Sequence, residues 1–226
     1  MKRVFICILF VTAFFSFSCA TNSRQKKLVP TLAGMIYDRE NKPVNNADIY
    51  LDGEYSASSD IHGHFFIEGV KPGTAYQIMV LKQNYENIRL DNIVYTDDDT
   101  IIYINMFSSD QLIAEAERSI QTKEWYKTET FLKRAELASG DMLSIRYLGA
   151  VLAYQREQYD DALVTLLDLA DQEKNMAYLF LFIADIYQYH KNEPAQAAVY
   201  LEKFLVIQYD ADVYARLAEL KVPDKG

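Results

Sequence analysis

Two of the chain's three histidines stand one residue apart in the stretch Asp60-Ile61-His62-Gly63-His64-Phe65-Phe66. Residues i and i+2 of a β-strand face the same side, so His62 and His64 have the spacing of two metal ligands. A metal site wants three or four donors and a supporting shell, and no further donor stands at a spacing that completes one. The same residues also spell a hairpin turn. Asp60 can accept from backbone N–H groups two residues on, and Gly63 supplies the positive φ that ends such a turn. On that reading Phe65 and Ile67 face a core while His64 and Phe66 alternate outward, and no metal is expected.

The remaining chemistry is sparse. Asp97, Asp98 and Asp99 offer the oxygen ligands that calcium prefers, but three acids between strand-like runs read as a solvated turn. His190, near the end of a helical run, reads as a capping residue. The chain contains no P-loop, GxGxxG, HExxH, GxSxG or CxxC. No catalytic residue and no cofactor are expected, and the chain reads as a non-enzyme. Its 32 acidic against 23 basic side chains, a net charge of −9, exclude an ordinary nucleic-acid binder, which needs basic patches for phosphate.

The first residues differ from the rest. Lys2 and Arg3 precede an uncharged, mostly apolar run over residues 4–17, which ends in Ser18-Cys19. At 14 residues the run is short of the roughly 20 that a spanning helix needs and suits a signal peptide. The small residue before Cys19 resembles a bacterial lipobox, although Ser16 and Phe17 depart from its usual pattern. That resemblance implies cleavage before Cys19 and acylation of its thiol. Removing Lys2 and Arg3 leaves 21 basic and 32 acidic side chains, a net −11. Cys7 leaves with the signal, so the mature chain has no second thiol and forms no internal disulfide.

Two periodicities follow. From 32 to 107 the chain consists of short Ile-, Val-, Tyr- and Phe-rich runs between turn residues such as Asp52-Gly53 and Lys71-Pro72-Gly73. This is the pattern of a small all-β sandwich. Gly34, Asp38, Pro43, Ala47, Ser58-Ser59-Asp60, Gly63, Phe65, Gly69, Gly73 and Tyr76 stand in the order and spacing of a carboxypeptidase regulatory-like domain, which this segment resembles. Asn41 replaces that family's glycine and Ser59 its threonine. The resemblance implies a transthyretin-like (prealbumin-like) sandwich that supplies structure and contacts.

From 109 to 221 the period is 3.6, with seven amphipathic helical runs. Ala116, Ala150, Ala184 and Ala218 are each 34 residues apart, as are Leu132, Leu166 and Tyr200, and Ile113, Tyr147 and Leu181. A 34-residue helix-turn-helix unit is the tetratricopeptide period, and this region resembles that family. The spacing gives three repeats at 109–142, 143–176 and 177–210, then a capping helix over 211–221. Alanine replaces the family's usual glycine. Ala162 fits its small-residue position in the second helix, whereas Thr128 and Gln196 do not.

The fold class is therefore α+β as two units, a sandwich and a tetratricopeptide superhelix, behind a signal peptide (1–18) and tether (19–31), with a tail at 222–226. In the tetratricopeptide family the first helix of each repeat lines a groove. Carrying those positions over gives Ile113, Glu117, Ile120 and Gln121 from the first repeat. The second contributes Ser144, Tyr147, Val151, Tyr154 and Gln155, and the third Tyr178, Leu181, Asp185, Gln188 and Tyr189. Four tyrosines and almost no Lys or Arg fit an interface, or rings packed between helices, rather than a clamp for carboxylates. The expected function is a non-catalytic scaffold that binds a protein partner, anchored by Cys19 in a bacterial envelope at the periplasmic side of the outer membrane or at the cell surface. The alternative is a carbohydrate- or peptidoglycan-binding protein using Tyr50, Tyr55, Tyr85 and Tyr95 of the sandwich.

Overall fold

The computed structural model describes residues 29–97 and 100–221. The signal peptide with Cys7 and Cys19, most of the tether, Asp98, Asp99 and the 222–226 tail lie outside these residues. No described helix is long and apolar enough to cross a membrane.

Seven described strands form two sheets. In one, β4 (His64–Glu68) and β7 (Ile101–Asn105) flank β1 (Thr31–Tyr37), antiparallel and parallel to it respectively. The other runs β3 (Glu54–Ser58), β2 (Asp48–Leu51), β5 (Ala75–Leu81), β6 (Ile88–Val94), all antiparallel. The alternating pattern puts Leu32, Ile36, Phe65, Ile67 and Ile104 of the first sheet into one core with Ile49, Ile78 and Val80 of the second. Gly34 is required by that core. A Cβ there would lie 2.2 Å from Cζ of Phe65, whose ring occupies the space a side chain would take.

The histidine stretch is a tight turn but not the expected hairpin, because it carries the chain from one sheet to the other: β3 pairs with β2 and β4 with β1. Asp60 Oδ1 accepts the N–H groups of His62 and His64, both at 2.8 Å, and Gly63 has φ +78°. Phe65 and Ile67 point inward and Phe66 outward, as alternation requires. Ser59 is buried and serves in place of threonine, since its Oγ donates to the Val44 carbonyl (2.7 Å) and accepts from Ala47 N–H (2.9 Å).

The helices pair as three hairpins and one final helix: α1 (Ser109–Gln121) with α2 (Trp125–Leu137), α3 (Met142–Gln155) with α4 (Tyr159–Gln172), and α5 (Ala177–Asp185) with α6 (Pro194–Ile207). Then comes α7 (Ala211–Lys221). Ala116, Ala150 and Ala184 are at most 1 % exposed, where only a small side chain admits the partner helix. Ala218 has the same phase but is exposed, because no described helix packs on that side of α7.

The third hairpin departs from a uniform 34-residue frame. A π-turn, Ile186–His190, follows α5, with Lys191 N–H donating to the Ile186 carbonyl and Glu193 N–H to that of Tyr187. A wider turn holds one extra residue. Every α6 position is therefore one residue late. The buried small residues are Thr128, Ala162 and Ala197, and the buried large ones Leu132, Leu166 and Leu201. Tyr200 and Gln196, which the 34-residue spacing points inward, are displaced from those places, and Thr128 fills its small-residue position fully buried. The α6–α7 joint spans 208–210, one residue shorter than the α4–α5 joint at 173–176, which returns α7 to the original phase.

The sandwich and first hairpin are docked together. Asp38, itself buried, holds its own loop by accepting from Glu40 and Lys42 N–H, and its second oxygen accepts from Gln111 Nε2 on α1 at 3.0 Å. Glu86 Oε2 accepts two hydrogen bonds from Arg134 of α2, at 2.9 and 2.7 Å. The Arg134 guanidinium also lies 4.9 Å above the Phe107 ring. A capping box of Ser108 and Gln111 starts α1 immediately after β7.

Candidate functional site

The first helices of the hairpins share one face, and five of the predicted residues, Ser144 among them, meet there. Ile113 and Glu117 of α1, Tyr147 of α3 and Tyr178 of α5 line a cavity of about 220 Å³ together with Ser144 and Leu148. The i, i+4 spacing of Ile113/Glu117 and Ser144/Leu148 stacks each pair along its helix toward the same opening. Tyr147 and Tyr178 meet edge to face with centroids 5.3 Å apart, and Tyr147 also meets Phe182 edge-on at 6.2 Å. Tyr178 is 45 % exposed.

Tyr178 and Leu181 also line an adjoining cavity of about 610 Å³, completed by Phe204, Ile207 and Asp210 among others. The two cavities thus lie either side of Tyr178. Burial, reinforced by Tyr178, raises the Tyr147 pKa above the usual tyrosine value. Burial raises that of Tyr178 too, followed by the charges of Asp141 and Glu173.

The other predicted residues have different surroundings. Val151 is half-buried on α3, between the turns of Tyr147 and Tyr154. Tyr154 is a joint between helices: its hydroxyl is 2.9 Å from His190 Nε2, and its ring meets Phe182 and Tyr159 edge-on. His190 in turn stacks on Tyr159 with centroids 4.1 Å apart. Asp185 and Tyr189 are brought together by Arg216 of α7, a residue the three-repeat count overlooked. Arg216 Nη1 donates to Asp185 Oδ1 and Nε to Gln188 Oε1, both at 2.6 Å, while the guanidinium lies 4.9 Å over the Tyr189 ring. Arg216 Nη2 is buried and makes no hydrogen bond. Carrying the 34-residue phase one helix further places Arg216 level with Leu148 and Phe182, and would have found it. Asp185 is therefore already paired, whereas Glu117 makes no side-chain ion pair or hydrogen bond within the described residues.

A third cavity of about 440 Å³, among α4, α5 and α6, meets the second at Ile207. It is lined by Leu167, Phe180, Tyr200 and Ile207, with Lys174 and Lys203 among its walls.

The four tyrosines expected for a sugar site, Tyr50, Tyr55, Tyr85 and Tyr95, do not share one surface of the sandwich. Tyr95 is 1 % exposed and belongs to the core. Tyr50 and Tyr55 pack against each other on the β2–β3 hairpin, and Tyr85 sits at the junction, bridged to Ser108. Tyr55 is 59 % exposed, and Phe66 and Tyr103 also face outward, on the β4-β1-β7 sheet. The His62 and His64 rings lie 5.9 Å apart, and no group of three or more His, Cys, Asp or Glu suited to a metal occurs among the described residues.

No protein-family model matches this chain, and no curated protein matches it. Solved structures are similar to parts of it. A C-terminal interface mutant of the type II cohesin–X-dockerin complex from Acetivibrio cellulolyticus aligns at 21 % identity over 37 % of this chain and 60 % of that one, with a TM-score of 0.31. An N-terminal interface mutant of the same complex aligns at 21 % over 38 % and 62 %, with a TM-score of 0.32. The TPR2AB-domain:pHSP90 complex of yeast Sti1 aligns at 19 % over 50 % and 46 %, with a TM-score of 0.44. This chain therefore spans less than two thirds of each of those chains.

Proposed function

We propose that this chain is a lipid-anchored, non-catalytic scaffold of a bacterial envelope that holds a segment of a protein partner along the face formed by α1, α3, α5 and α7. The observation that carries this is the pair of cavities flanking Tyr178, which join side chains from α1, α3, α5 and α6 into one recessed surface. Tyrosines there combine apolar area with a polar tip at low conformational cost, which suits recognition of a peptide segment. The anchor rests on residues 2–19 of the sequence, where a basic start and a short apolar run precede Cys19. Several acyl chains on one cysteine make such anchoring stable where one chain does not. In this reading the sandwich is a regulatory-like spacer that carries the helical array away from the bilayer.

Cys19→Ser is expected to abolish fatty-acid labelling and move the protein to the soluble fraction; labelling that persists removes the anchor. The double variant Tyr147→Ala/Tyr178→Ala is expected to lose most partner capture from native membranes, identified by mass spectrometry. Circular dichroism and thermal unfolding on the same variant verify that it is folded. Undiminished capture by the folded variant places the partner elsewhere.

A further inference from the structure

The charges around Tyr178 narrow the kind of segment this face accepts. Resting on the groove reading above, we infer that the bound segment presents a basic side chain, arginine or lysine, to the Tyr147–Tyr178 pair beside Glu117. The 220 Å³ cavity has one carboxylate, Glu117, two tyrosine rings and no Lys or Arg. The adjoining 610 Å³ cavity has Asp210 and likewise no Lys or Arg. Glu117 is exposed on α1 and has no ion-pair or hydrogen-bond partner among the described residues, so its charge is available.

The cation on this face, Arg216, is held by Asp185 and Gln188 and covered by Tyr189. It therefore offers a ligand carboxylate little. Asp141 and Glu173 add negative charge near Tyr178.

A guanidinium or ammonium over a tyrosine face gains from the ring quadrupole, and a carboxylate alongside supplies a charge-assisted hydrogen bond. An acidic segment would instead face Glu117, and Asp210 whose Oδ1 already accepts from the Asp212 and Val213 N–H groups, with no base in either lining, a repulsion that gives selectivity as well as affinity. The cavity with Lys174, Lys203 and Asp171 meets the 610 Å³ cavity at Ile207, but neither lysine lines either cavity beside Tyr178.

The test uses the full chain in detergent and three fluorescein-labelled, end-blocked nonapeptides. These share leucines and a Gly-Ser background and carry Arg, Gln or Glu at the same two positions. Anisotropy titrations are expected to rank Arg above Gln by about tenfold, with Glu weakest. Glu117→Arg, an exposed substitution, is expected to cancel or reverse the Arg preference. Tyr178→Phe should keep it and Tyr178→Ala lose it. Equal or tighter binding of the Glu peptide overturns the inference, as does Arg binding unchanged in Glu117→Arg. So does the absence of saturable binding by all three peptides. In each of those cases, membrane-partner capture that still depends on Tyr147 and Tyr178 leaves the groove reading standing, while capture independent of both tyrosines means that reading has failed as well.

Discussion

Aspartates whose oxygens meet backbone N–H groups set much of the local geometry. Asp60 makes the β3–β4 turn this way, Asp38 closes a loop and reaches α1, and Asp141 caps α3. The Asp141 carboxylate accepts from Ser144 Oγ at 2.6 Å and from the N–H groups of Leu143 and Ser144 at 3.2 Å. These bonds, the Ser144 hydroxyl first, hold its pKa below the usual aspartate value. A depressed folded-state pKa means the ionised form is the stabilising one. Its contribution is complete above the ordinary carboxylate range and is lost as pH falls through the lowered value. Asp141→Ala is expected to cost about 1 kcal/mol at neutral pH. In denaturant titrations the gap from wild type should be flat above about pH 5 and close below about pH 4. A gap that does not change with pH removes the charged cap. Residues of this kind are legible in sequence because Asp, Ser and Gly act on backbone atoms a few positions away.

At the scale of elements, the strand and helix periods locate the units, and the four alanines give the repeat. Those periods do not reveal the π-turn. Tyr200 and Leu201 are adjacent and both apolar, as Leu166 and Leu167 are in α4, so either phase of α6 satisfies an amphipathic pattern. The choice is made by close packing, which admits Ala197 and not Gln196 against the preceding helix. Leu201 is fully buried, whereas Tyr200 is partly exposed and stacks on Tyr187 at 5.7 Å. Leu201→Ala is therefore expected to cost about 2–5 kcal/mol and Tyr200→Ala clearly less, measured by chemical denaturation. The opposite order would restore the uniform 34-residue frame and remove the insertion.

For the whole molecule, the question is whether sandwich and helices act as one body. Arg134 and Glu86 are the most enclosed ion pair across the junction, with side chains 33 % and 12 % exposed, and Phe107 beneath the guanidinium excludes water from one side. Partial burial and two hydrogen bonds to one carboxylate oxygen make this pair stronger than a surface contact. A double-mutant cycle with Glu86→Gln and Arg134→Met is expected to give a coupling of about 1 kcal/mol or more in global stability. Additive effects would mean that the units unfold independently. A rigid junction fixes the direction in which the groove faces relative to the sandwich.

Beside the face of Ile113, Glu117, Tyr147 and Tyr178 that the tetratricopeptide resemblance implied, the sequence alone determined what depends on local chemistry and on period: a β unit before a helical one, the 34-residue repeat and the Asp60–Gly63 turn. These follow because backbone hydrogen bonding and the repeats of 2 and 3.6 residues act over short separations. Only the tertiary structure decided which aromatic is core and which is surface, as with Tyr95 against Tyr103, and where one inserted residue moves α6. It also decided that Arg216 is spent on Asp185, leaving Glu117 as the open charge. Those outcomes depend on contacts between different elements, where packing and charge pairing choose among side chains that a one-dimensional pattern treats alike.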